Sequence, residues 1–231
     1  VANDLGRIQL HDPRSRDYAY KSTRQVSSSV THRFDAPHVD QFYTSGCVGF
    51  SGANMLNCTA AYKSRKRFNE VNMRQRNLYL GNDQGIVNYH NATLNDPFDW
   101  TYPPTDNGSS AIGLMKWWKD RGIITRYQWA FGFDAFLQAL ETQPVLVGTN
   151  WYKSMMKPNK LGVVTIDGDL AGQHEYLASG FRRLNADNQY LIRFENSWGD
   201  GWGLGGRFYM MDGTFRTLLD EGGDVAIPRF L

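Results

Sequence analysis

Small and apolar residues run together from Val48 through Phe50, Ala53, Met55 and Leu56 to Cys58, Ala60, Ala61 and Tyr62. That mixture predicts a buried helix starting at or near Cys47. A second helix is expected around 69–81. Residues 83–107, with Pro97, Pro103, Pro104 and several aspartates, read as a loop. Ala111, Leu114, Met115 and Trp118 fall at helical spacing, closed by Gly122. Phe133 to Thr142 forms a short further helix stopped by Pro144.

The pattern then changes. Val145-Leu146-Val147, Val163 to Ile166, Glu175 to Phe181, Gln189 to Glu195 and Arg207 to Met211 are strand-like runs separated by Gly and Asn/Asp clusters. Helices first and strands afterwards predict an α+β chain in two lobes. Residues 1–36 are polar and turn-rich and are expected to wrap across the surface of a single domain spanning 1–231. A helical lobe at about 37–127 and a β-rich lobe at about 128–231 complete that division.

Composition narrows the class. The 231 residues are 41% apolar, enough for a sizeable core, and mean hydropathy is −0.51. No apolar run is long enough to span a bilayer, and no signal peptide is read, so no membrane partner is expected. The chain opens on Val1, as a processed or excised chain would. Net charge is +2. Lys63, Arg65, Lys66, Arg67, Arg74 and Arg76 face one acid, Glu70, and read as a solvated surface rather than a nucleic-acid site. Two cysteines eleven residues apart on one helix could not form a disulfide. Such a chain suits a reducing compartment, with a cytoplasmic or virion-associated setting left open. Two cysteines and five histidines lack zinc-like spacing, so neither metal nor cofactor is expected.

The chemistry lies in spacing. Gln41 precedes Cys47 by six residues, His174 follows by 127, and Asn196 by a further 22. A thiol, an imidazole and an amide in that order are the parts of a nucleophilic acyl-transfer site. The segments Gln41 to Ser51, Asp106-Asn107-Gly108, the His174 strand and Asn196-Ser197-Trp198-Gly199-Asp200-Gly201-Trp202-Gly203 closely resemble papain-like cysteine peptidases. Asp12 to Tyr18 is similar to the entry of bacterial and phage-type members.

The resemblance implies a two-lobed fold with a cleft between a helical lobe and an antiparallel β-barrel-like lobe. It implies Cys47 as nucleophile, His174 as acid and base, Asn196 as its orienting partner and Gln41 as oxyanion donor. Asn107, Gly108 and Trp198 would line the substrate site, and the substrate would be a peptide or protein cut through a covalent acyl-enzyme. A thiolate held by imidazolium and the helix dipole should alkylate selectively at pH 6. Two departures stand out. Glu175 replaces the family's small apolar residue after the histidine and is expected to point away from His174, into the barrel lobe or to solvent. Val48 replaces an aromatic residue. A lysin-type amidase acting on peptidoglycan stem peptides, or a virion structural protein keeping the fold, are the rival readings. Oligomeric state is unspecified.

Overall fold

The computed structural model describes residues 5–23, 25–185 and 187–231. Its first half holds β1 (Ser29–Thr31) and four helices: α1 (Cys47–Asn57), α2 (Tyr62–Val71), α3 (Asn82–Asn95) and α4 (Ala111–Asp120). Every residue of α1 is buried, which accounts for its small and apolar composition. A Cβ on Gly49 would overlap Tyr89 N and Gly85 O of α3, so glycine is what lets the two helices touch. The helix is shorter than expected, because Cys58 turns to extended backbone and serves as its C-cap.

The segment 69–81 is not helical beyond Val71. α2 ends at Val71, and Met73 takes a left-handed φ of 53°. Asn69 Nδ2 then donates to the carbonyls of Arg76 and Leu78, fixing a non-helical tail. Much of the expected 83–107 loop is α3 instead. Gly85, Asn88, Tyr89, Ala92 and Thr93 recur on its buried face, and Gln84 Oε1 accepts from Gly81 N–H at the start. The helix stops at Asn95, just ahead of Asp96-Pro97, where the residue before proline is pushed out of helical geometry.

The second half adds β2 (Ile124–Trp129), α5 (Phe133–Leu140), β3 (Val145–Tyr152), β4 (Leu170–Arg183), β5 (Tyr190–Glu195), β6 (Arg207–Met211), α6 (Asp212–Asp220) and β7 (Asp224–Phe230). The pairings between these strands are all antiparallel, in the order β2-β7-β3-β4-β5-β6, with β1 added to β4. β1, β2, β7 and α6 are not among the elements expected from sequence. The expected strand at Val163–Ile166 reduces to one bridge between Val163 and Tyr209.

Two cores flank this sheet. One gathers α1, α4, Phe68 and the rung Leu177–Leu146–Ala226. The other gathers α5, α6 and the opposite face, including Val147, Trp151, Tyr176, Phe194 and Phe208. β4 is therefore a wall common to both, and successive residues along it serve different sides. Among the described residues no helix is long and apolar enough to cross a membrane.

Candidate active site

Cys47 is the first residue of α1, and its N-cap, Gly46, supplies no side-chain bond. The N–H groups of that first turn are thus left to act on what lies ahead of them. The sulfur is fully buried. Burial, followed by the nearby Glu175 carboxyl, pushes the thiol up to about 12, against backbone hydrogen bonds from Glu175, Gly6 and Val48. Ser51 Oγ donates to the Glu175 carbonyl at 2.8 Å, fastening α1 to β4 beside the thiol.

His174, one residue before that contact, is also fully buried. Its Nε2 donates to Asn196 Oδ1 at 2.8 Å. Trp198 stacks on the ring at 4.7 Å with 24° between planes, and Trp151 meets it edge-on at 5.0 Å. Nδ1 makes no hydrogen bond, to Cys47 or to any other described residue. Burial lowers the imidazole to about 4, with the Asn196 bond opposing. Burial thus works against both charged forms, and so against the ion pair expected from sequence.

Gln41 and Asn196 are tied into the same structure. Gln41 N–H donates to Ser197 O at 2.9 Å, Ser197 Oγ donates to Gln41 Oε1 at 2.7 Å, and Gln41 Nε2 donates to Thr44 O at 2.8 Å. Asn54 of α1 donates to the Asn196 carbonyl at 3.0 Å. Behind Asn196, the buried Glu195 accepts from Ser179 Oγ and pairs with Arg193, Arg207 and His38. Burial pulls His38 down, yet Glu195 and Asp200, one on each ring nitrogen, outweigh it and hold the imidazolium above its usual range.

The polar N-terminal segment does not simply wrap the surface. Ser109 N–H donates to Gly6 O at 2.9 Å, Ile8 N–H donates to Ser109 O at 2.8 Å, and Arg7 N–H donates to Gln173 O at 3.2 Å. Residues 6–8 therefore lie as a strand between the Ser109 loop and β4, directly over Cys47. Arg7 is buried, with Nη2 at 2.6 Å from Asp224 Oδ2 and Nε at 3.9 Å from Glu175 Oε2. Two surface cavities of about 490 and 500 Å³ lie near residues 10–18 and 126–132, and neither is lined by Cys47 or His174. The space above the thiol is occupied by the chain itself. Among the described residues no three His, Cys, Asp or Glu side chains are grouped to hold a metal.

A family model described as papain family cysteine protease matches residues 18–219. The chain belongs to the papain family of cysteine proteases. As a papain-family chain it is a cysteine-type peptidase, a hydrolase, acting on peptides or proteins. Its fold is similar to xylellain, a cysteine protease from Xylella fastidiosa, at TM-score 0.58 and 20% identity over 98% of this chain and 96% of that one. It is also similar to proCathepsin B S9 from Trypanosoma congolense, at TM-score 0.58 and 12% identity over 98% and 84%. Digestive procathepsin L 3 of Tenebrio molitor larval midgut matches at TM-score 0.54 and 15% identity over 99% and 76%. No curated protein matches this chain in sequence.

Within this papain-family chain, Cys47, His174, Asn196, Gln41 and Trp198 converge on one buried site. Gly108 sits beside it with its N–H on the Tyr89 hydroxyl at 2.9 Å, and that hydroxyl donates to Asp106 at 2.7 Å. Asn107 is exposed, and the backbone pairing across the cleft is made by Ser109. Glu175 does point away from His174, but toward the helical lobe, where it is fully buried. Sequence reading missed Ser109, Arg7 and Asp224. One signal was available: Glu175 stands in an otherwise apolar strand, and a buried carboxylate demands a cation.

Proposed function

We propose that this peptidase cuts peptide bonds through Cys47, His174 and Asn196 with a covalent acyl-enzyme. The observation that carries the reading is the His174 ring. Its Nε2 is committed to Asn196, one face is covered by Trp198, and the remaining nitrogen, Nδ1, has no partner among the described residues. A buried imidazole fixed at one end and unpaired at the other suits proton exchange with a neighbouring group. Cys47 is that neighbour, since its sulfur sits against the N–H of the residue following His174.

With a peptide in the cleft, His174 Nδ1 takes the thiol proton as the sulfur attacks the amide carbonyl. The developing oxyanion is met by the Cys47 N–H and the Gln41 amide. His174 then protonates the leaving amine, and the C–N bond breaks to leave a thioester. A water deprotonated by the same nitrogen cleaves the thioester, returning the acid product and the free thiol. In full-length Arg7→Ala, where the segment over the thiol has lost its side-chain anchor, cleavage of denatured casein should vanish on adding Cys47→Ala or His174→Ala and persist with Cys58→Ala. Hydrolysis that survives Cys47→Ala would overturn the reading.

A further inference from the structure

Glu175 of β4 pairs with Gly148 of β3, and Gly148 pairs with Asp224 of β7. All three therefore share one sheet face, the face that carries Leu177, Leu146 and Ala226 at the next alternation. Neighbouring strands lie about 4.8 Å apart, so the two acids are separated by roughly 10 Å with a residue lacking Cβ between them. A Cβ on Gly148 would overlap Arg7 Nε and Glu175 Oε2. The glycine is what opens this rung to a side chain.

The occupant is Arg7, which also donates from Nη2 to the Gly222 carbonyl at 3.2 Å. Two carboxyls meet one guanidinium, and the match is incomplete. Neither oxygen of the fully buried Glu175 accepts a hydrogen bond from a described residue, nor does Asp224 Oδ1, while Arg7 Nε and Nη1 donate none. A pair of acids out of water is costly without a cation. An aliphatic side chain there would leave both unpaired, whereas a guanidinium or ammonium reaching deeper would gain donors and acceptors already present.

Arg7 also gives the position. Gly6 meets the Cys47 sulfur, and Arg7, the next residue, hangs over the acidic rung while its backbone is held by Gln173 and flanked by Ser109. We infer that the Glu175–Gly148–Asp224 rung is a substrate pocket for an arginine or lysine side chain, borne by the residue adjoining the one at Cys47, and that Arg7 is its resident occupant. This rests on the reading of Cys47 as nucleophile only for the word substrate. The pocket itself is a binding site that can be probed without turnover.

Two measurements test it. In Arg7→Ala, a few millimolar ethylguanidinium should raise the Tm, tetramethylammonium at equal ionic strength should not, and the effect should be lost in Arg7→Ala/Glu175→Gln/Asp224→Asn. A fluorogenic peptide library assayed with full-length Arg7→Ala should show arginine or lysine favoured over leucine by roughly tenfold or more in kcat/KM at one position beside the acyl residue. Glu175→Gln/Asp224→Asn should erase that preference. Cys47-dependent cleavage without cation preference would overturn the pocket and spare the mechanism. Ethylguanidinium rescue with no Cys47-dependent cleavage would do the reverse. Absence of rescue together with no preference would sink the pocket altogether.

Discussion

Trp198 lies flat against His174 with 4.7 Å between ring centroids, and only about a twentieth of its surface reaches solvent, at 4%. The indole covers the His174–Asn196 hydrogen bond, so that bond works in a dry, weakly screening environment. Trp198→Ala should cost about 3–5 kcal/mol of stability, as expected for a buried aromatic. In the surviving folded protein the imidazole should titrate closer to 6.5 than to 4, read by NMR. An unmoved His174 titration would mean that the indole does not shield it.

Gln41→Ala should lower kcat by about a hundredfold or more, as loss of an oxyanion donor does, with KM changed less. The same substitution removes the acceptor of Ser197 Oγ. Gln41→Glu keeps that acceptor while replacing the donor, and it should be equally slow. A Gln41→Glu enzyme at full rate would assign Gln41 to structure alone.

Thiol labelling should depend on the N-terminal segment. Cys47 is buried and pushed up to about 12, and Cys58 is buried and pushed up to about 11 by desolvation. A pulse of iodoacetamide at pH 6 should therefore label neither in the full chain, contrary to the sequence expectation. Arg7→Ala, which releases the segment's side-chain anchor, should make Cys47 the faster of the two. Rapid Cys47 labelling in the unaltered chain would show that residues 6–8 do not cover it in solution.

Acid should destabilise the chain partly through His174. Its folded value is about 4, below the ordinary 6.5. The unfolded chain therefore takes up a proton first as pH falls. Stability is lost between about pH 6.5 and 4, by about 3 kcal/mol, and the slope flattens below that. His174→Gln should show a shallower fall in urea midpoint across the same window.

Glu175 acts in the opposite sense. Desolvation, then the Asp224 charge, raises its carboxyl well above the usual range, with Arg7 opposing. Its contribution is present below about pH 4.5 and is lost as pH rises and the unfolded carboxyl ionises. Relative to the unaltered chain, Glu175→Gln should be more stable at pH 8 than at pH 5. Equal differences at the two pH values would show that Glu175 is ionised in the folded state.

Much of this was legible in the residues. The spacing of Cys47, His174 and Asn196 and the Asn-Ser-Trp-Gly block pointed to the family, and the strand-like run from Glu175 to Phe181 located β4. The α3 helix was hidden because Asn82 to Asn95 mixes polar residues with glycine, and its burial comes from close packing on α1 rather than from an apolar stripe. β7 was hidden by Pro228, a residue that argues against a strand, although β7 lies between β2 and β3. The role of residues 5–9 could not be read locally, since their partners Ser109, Gln173 and Asp224 lie over a hundred residues away.

His174 and Glu175 are consecutive in the chain yet belong to opposite sides of one wall. The base and the acid over Gly148 can therefore drift separately. A single codon change at 148, 175 or 224 could alter which side chains the cleft admits while leaving the imidazole where it is. The same alternation makes the strand intolerant of length change: one residue deleted upstream in β4 would exchange the two faces and deliver a carboxylate where the imidazole stood.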